Sequence, residues 1–91
     1  MYQGRHCNYS DYQLLENITK NFLQIINRDN FDISEVEKCL STFSDFDFEL
    51  SSKIRTHLNK INDDRSGAIT KITHLLNELK NNVLVDIREH N

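Results

Sequence analysis

The chain of 91 residues contains no proline, no tryptophan and only two glycines. Proline and glycine shape tight turns and break helices, and an all-β chain of this size needs many such turns, so their scarcity points to helix. No run of 18 apolar residues occurs, so no helical membrane span is expected. The first residues, Met1 to His6, lack the apolar core of a secretory signal, and Tyr2 stands where N-myristoylation needs glycine. Cysteine is limited to Cys7 and Cys39, too few for a disulfide framework. These absences together lead us to expect a soluble protein of the cytoplasm.

Patterns that carry chemistry are missing as well. His6, His57, His74 and His90 are scattered without zinc spacing, and no His-x-x-x-His pair occurs. A cysteine nucleophile needs a positioned histidine, which neither Cys7 nor Cys39 has nearby in a suitable setting. The carboxylates at 45, 47, 49, 63 and 64 fall in expected turns, where little desolvates them to raise a pKa for acid-base work. There is no glycine-rich phosphate loop and no G-x-S-x-G. We therefore expect neither an enzyme nor a bound cofactor, and no metal centre.

Charge narrows the partners further. The net charge is −3, but residues 29–49 hold seven acids against Lys38 alone, a local −6, while residues 1–28 and 50–91 carry +1 and +2. A phosphate backbone would be repelled by that middle segment, so nucleic acid is not the expected partner. Only a continuous helix bringing Lys53, Lys60 and Lys71 into line would offer a basic ridge, which keeps a small DNA-binding regulator as an alternative.

What the chain does have is apolar residues at helical spacing, 37% of the sequence being hydrophobic. Residues 1–9 show no period and are expected to be a flexible leader, with a single helical domain over 10–91. Ser10 and Gln13 read as a capping box opening a first helix with Leu15, Ile18, Phe22 and Ile26 on its inner face. Asp32 with Glu35, or Ser34 with Glu37, can cap a second helix bearing Ile33, Val36, Cys39, Leu40 and Phe43. Ser44 to Glu49 alternates like a strand but has no partner strand, so it reads as a turn, with Asp45 or Asp47 capping a third helix. Leu50, Ile54, Leu58 and Ile61 lead to the polar run 62–67, and Ile69, Ile72, Leu75, Leu76, Leu79, Val83 and Ile87 follow.

That polar run is the open structural question. Its six residues are poor to moderate helix formers, which favours a turn. Yet Ile61, Ala68, Ile72, Leu75 and Leu79 lie within about 60° of one another at 100° per residue, which favours one long helix. The first case gives a small all-α, four-helix up-down bundle. The second gives three helices, the last one long and dimeric. The expected core is Leu15, Ile18, Phe22, Ile26, Val36, Leu40, Phe43, Ile54, Leu58, Ile61, Ile72, Leu75 and Leu79. The segments around 33–43 and 69–79 also echo each other at an offset of 36, as two helix-loop-helix units would.

Asn62, Asp64 and Ser66 put oxygen side chains at alternate positions, followed by Gly67 and Ile69. This stretch resembles the start of an EF-hand calcium loop, which implies calcium ligation by Asn62, Asp64 and Ser66. The resemblance covers about eight residues, and Thr73 stands where the motif has its bidentate glutamate. A degenerate helix-loop-helix calcium protein is thus a second alternative. The leading expectation is a non-catalytic protein-protein interaction module, such as an adaptor, chaperone, anti-activator or inhibitor. Its contacts would be apolar residues beyond what a small core can hide: Phe46, Phe48, Ile69, Leu76, Leu84 and Val85, facing a protein partner or a second copy in a homodimer.

Overall fold

Three aspartates set the starts of three helices. A helix leaves its first N-H groups without intrahelical acceptors, and a short carboxylate just before it can accept one while its charge meets the positive end of the helix dipole. Asp32 accepts from the Ser34 amide at 2.9 Å, Asp47 from the Leu50 amide at 3.1 Å, and Asp64 from the Gly67 amide at 3.1 Å. In the computed structural model, which describes residues 9–28 and 30–89, these caps open α2 (Ile33–Phe46), α3 (Phe48–Leu58) and α4 (Arg65–Glu89), following α1 (Tyr9–Ile26). Among the described residues there is no strand.

Side-chain bonds between helices fix their directions. Ser44 donates to Ser51 at 2.9 Å, Ser51 to the Leu40 carbonyl at 3.1 Å, and Arg55 reaches Glu37, so α2 and α3 run antiparallel. Arg65, opening α4, donates to the Ile26 carbonyl at 3.0 Å and to the Arg28 carbonyl, placing it beside the end of α1. Each helix packs on two neighbours, α1 on α2 and α4, α3 on α2 and α4. This is the expected up-down four-helix bundle. It measures 42 × 19 × 16 Å, and α4, with 25 residues and a length of about 37 Å, spans most of the long axis.

The core runs through the whole ring of helices. Phe22 and Phe43 meet edge to face with centroids 5.3 Å apart, and Ile54, Ile72, Leu76 and Leu79 are fully buried beside them. Ile18, Leu58 and Leu75, expected inside, are only partly buried at its margin. On α4 the buried set is Ala68, Ile72, Leu76, Leu79, Val83 and Ile87, spaced by fours with a single three. The helix is therefore turned so that Leu76 faces inward and Leu75 flanks it. The 36-residue echo survives as burial of Val36 with Ile72, Leu40 with Leu76 and Phe43 with Leu79, although α2 has 14 residues and α4 has 25.

Several boundaries differ from expectation. Helix α1 already includes Tyr9, so Ser10 stands inside its first turn rather than capping it, and only residues 1–8 of the expected leader fall outside the description. Ile33 is the first residue of α2, ahead of its inward stripe, and is 61% exposed. The break after α3 covers residues 59–64, not 62–67, and no long helix joins α3 to α4. Tight turn bonds from Lys60 to His57 and from Ile61 to Leu58 reverse the chain, and Ile61 drops into the core from the turn itself. Arg65, Ser66 and Gly67 then belong to the first turn of α4.

Gly67 shows why glycine suits that position. A Cβ there would lie 2.2 Å from the capping Asp64 carboxylate. Replacing an exposed helical glycine by alanine normally stabilises by about 1 kcal/mol, but here the methyl group would displace a cap of about the same value. Gly67→Ala should therefore change unfolding free energy little, whereas in an Asp64→Ala background it should add about 1 kcal/mol. Urea unfolding of the four chains in this cycle reads the difference directly.

Candidate partner-binding surface

The apolar side chains left in water are set by local helix geometry. Phe46 ends α2 on the inward stripe, three residues after Phe43, and is 2% exposed. Asp47 then breaks the helix for a single residue, with extended backbone at φ −157° and ψ 102°. Phe48 opens α3 two residues before the buried Leu50, about 200° away around the helix, and stands 71% exposed. The corner thus hides one phenylalanine and presents the next. Around Phe48 a recess is lined by Asp47, Glu49 and Ser52. Asp45 is exposed just before it, and Lys53 lies 3.9 Å from Glu49.

A second feature lies at the other end of the α2–α3 hairpin. Phe31, Ile33 and Leu58 wall a cleft of about 280 Å³ floored by the buried Val36 and Ile61. Glu37 and Arg55 close one side with two parallel hydrogen bonds, 2.6 and 2.9 Å long. This fork geometry is the strong form of an ion pair. The Arg55 hydrogen bond, aided by its charge, holds the Glu37 carboxyl below its ordinary value of 4.5, and Glu37 in turn raises the Arg55 guanidinium. A third, broad and shallow groove runs along α4, where Tyr12, Leu75 and Leu84 alternate with Asn77, Glu78, Lys80 and Asn81.

Of the residues expected to face a partner, Phe48 and Val85 are exposed and Leu84 is partly so. Phe46 and Leu76 are core residues, Leu76 with no exposure at all, and Ile69 is partly buried against the core, so these three are withdrawn from the surface. Phe46 is taken inward because α2 continues to it in helical phase with Phe43. Leu76 is taken inward by the rotation of α4. Leu14, also expected beyond the core, is exposed, and Ile33 and Tyr9 are exposed apolar residues absent from the expected set. Ile33 was legible as one residue after a capping aspartate, a position that precedes the packed face.

The residues that resemble an EF-hand do not form its loop. An EF-hand holds calcium in a twelve-residue loop between two helices. Here α4 begins at Arg65, so Ser66 and Gly67 are helical and Asn62 lies in the preceding turn. Asp64 spends one oxygen on the Gly67 amide. Among the described residues no group of three His, Cys, Asp or Glu is placed to hold a metal ion. The Cys39 thiol is buried, and burial, with Glu35 nearby, pushes its pKa up, away from the thiolate that a nucleophile needs. His74 is exposed, and His6, Cys7 and His90 lie outside the described residues. No described helix is long and apolar enough to cross a membrane.

Comparison of the chain with protein-family models, with characterised proteins and with solved structures finds no match, so the functional reading rests on this surface.

The Glu37–Arg55 pair carries a pH signature. A carboxyl with a lowered folded-state pKa contributes stability above its unfolded value, and that contribution is lost as pH falls through the folded value. The difference in melting temperature between the wild-type chain and Glu37→Gln should therefore be constant at neutral pH and narrow as the pH drops below 4.5. A difference that persisted unchanged into acid would show that the pair does not act through the carboxylate charge.

Proposed function

We propose that this protein is a non-catalytic interaction module of the cytoplasm that binds a partner protein through the α2–α3 hairpin. The observation that carries the reading is Phe48, an aromatic ring 71% exposed at a corner of a single residue between two helices. Fully burying such a side chain is worth about 1.5–3 kcal/mol, and a rigid aromatic anchor loses little conformational entropy on binding. Ile33 and the cleft bounded by Phe31 and Leu58 offer a second apolar contact along the same hairpin. The acids Asp45 and Glu49 flank Phe48, so the complementary partner surface is apolar with a basic border. Adaptor, chaperone, anti-activator and inhibitor are all roles that such a surface can serve.

Phe48→Ser tests this with little risk to the fold, because the ring is 71% exposed. Its melting temperature should stay within about 3 °C of wild type, as for other surface substitutions in a chain of this size. Affinity capture from the native host should recover a stoichiometric partner with the wild-type chain and lose it with Phe48→Ser. Recovery of the same partner by both chains would contradict the assignment of Phe48.

A further inference from the structure

The corner at Asp47 interrupts an apolar stripe that does not itself turn. Numbered at 100° per residue straight through residue 47, the buried Val36, Leu40, Phe43 and Phe46 of α2 and Leu50 and Ile54 of α3 fall in one arc of about 120°. No glycine or proline lies between Ser44 and Leu50 to force the bend. A single residue therefore separates two helices that are otherwise ready to be one, of 26 residues over 33–58 and about 39 Å. That length nearly equals α4 and the 42 Å long axis of the bundle.

Asp47 favours the bend on two grounds. Bent, its carboxylate caps α3 through the Leu50 amide at 3.1 Å, a bond that residue 47 cannot make from inside a continuous helix. Straight, the cap would be lost and residue 47 would sit inside the apolar arc, about 20° from its edge, leaving a buried carboxylate with neither oxygen bonded. Even when bent the fit is incomplete, since Asp47 is 2% exposed and its Oδ2 has no hydrogen-bond partner. Short hinges of this kind between intact halves are the usual site of domain exchange.

We propose that Asp47 is a gate between two assemblies of the same packing: the closed monomer, and a domain-swapped dimer in which α2 and α3 fuse and the α1–α2 half of one copy packs on the α3–α4 half of the other. The partner in this second form is another copy of this chain. Every α2–α3 and α1–α4 contact is kept, now between copies, so the two forms differ mainly at the hinge. The proposal goes beyond partner binding through Phe48 and survives its failure, because it uses the core packing and not the exposed ring.

Asp47→Leu removes the cap and completes the stripe, and sedimentation equilibrium reads the result. The wild-type chain should sediment as a monomer at micromolar concentration, and Asp47→Leu as a dimer, its dissociation constant lowered on the order of a hundredfold. A thiol trap identifies the kind of dimer. With Cys7→Ser and Cys39→Ala in the background, Glu37→Cys and Arg55→Cys joined by a short bismaleimide should link within one chain in the wild-type hinge. In Asp47→Leu they should link two chains. Insertion of Gly-Ser-Gly after Phe46 in the Asp47→Leu chain should restore the monomer. A folded, monomeric Asp47→Leu at millimolar concentration would overturn the proposal, as would a dimer linked only within chains. Asp47→Ala, smaller and equally uncharged, is read in the same way. Loss of helical circular dichroism in both variants would also overturn it, because the swapped dimer keeps every helix.

Discussion

The hydrogen bond from the Leu50 amide to the Asp47 carboxylate is the constraint on which the rest of the structure depends. It holds the only point at which α2 reverses into α3, and the reversal places Ser51 against Leu40 and Arg55 against Glu37. These bonds bring α3 alongside α2, and the two other connections then close α1 and α4 around them. Within one chain, the sharp corner lets the apolar residues of all four helices share one core. The same sharpness turns Phe46 inward and leaves Phe48 in water, so the fold and the candidate binding surface have a single origin.

Electrostatics on this hairpin is divided between structure and surface. Asp32 and Asp47 are occupied with helix amides, Glu37 with Arg55, and Glu35 lies 3.6 Å from Arg28. Exposed pairs of this kind contribute little to stability, and their larger effect is to fix which side chains face which. Asp45 and Glu49 lie beside the exposed ring in sequence, Glu49 with Lys53 at 3.9 Å. Among the described residues of 30–49, the negative charge is thus resolved into caps, pairs and a small acidic border around one aromatic residue.

Much of the fold was legible in the residues themselves. Helical spacing and the lack of proline gave an all-α chain, the poorly helix-forming polar run at 62–67 favoured four helices over three, Asp32 and Asp47 were among the expected caps, and most of the expected core is buried. The failures are of two kinds. Boundaries such as the turn at 59–64 depend on which polar residue wins the competition for a helix start, and Asp64, directly before a turn of helix ending in Gly67, prevailed over the glycine as the mark of the break. Facing is the second kind: a wide apolar stripe on α4 does not say whether Leu75 or Leu76 points inward until the neighbouring helices are placed. The surface was least legible for the same reason. Phe46 and Phe48 are alike in sequence context, and only the one-residue corner between them makes one core and the other exposed.

Native-state hydrogen exchange at the Leu50 amide tests this description most directly. Leu50 is the third residue of α3, where amides normally exchange freely for want of an intrahelical acceptor. If Asp47 holds the corner as described, that amide is protected to nearly the extent of core amides in α4 such as Leu76, because releasing it requires the hairpin to open. Exchange at Leu50 as fast as at the exposed amides opening α2 would show that the corner opens independently of the core, and that the fold does not depend on it.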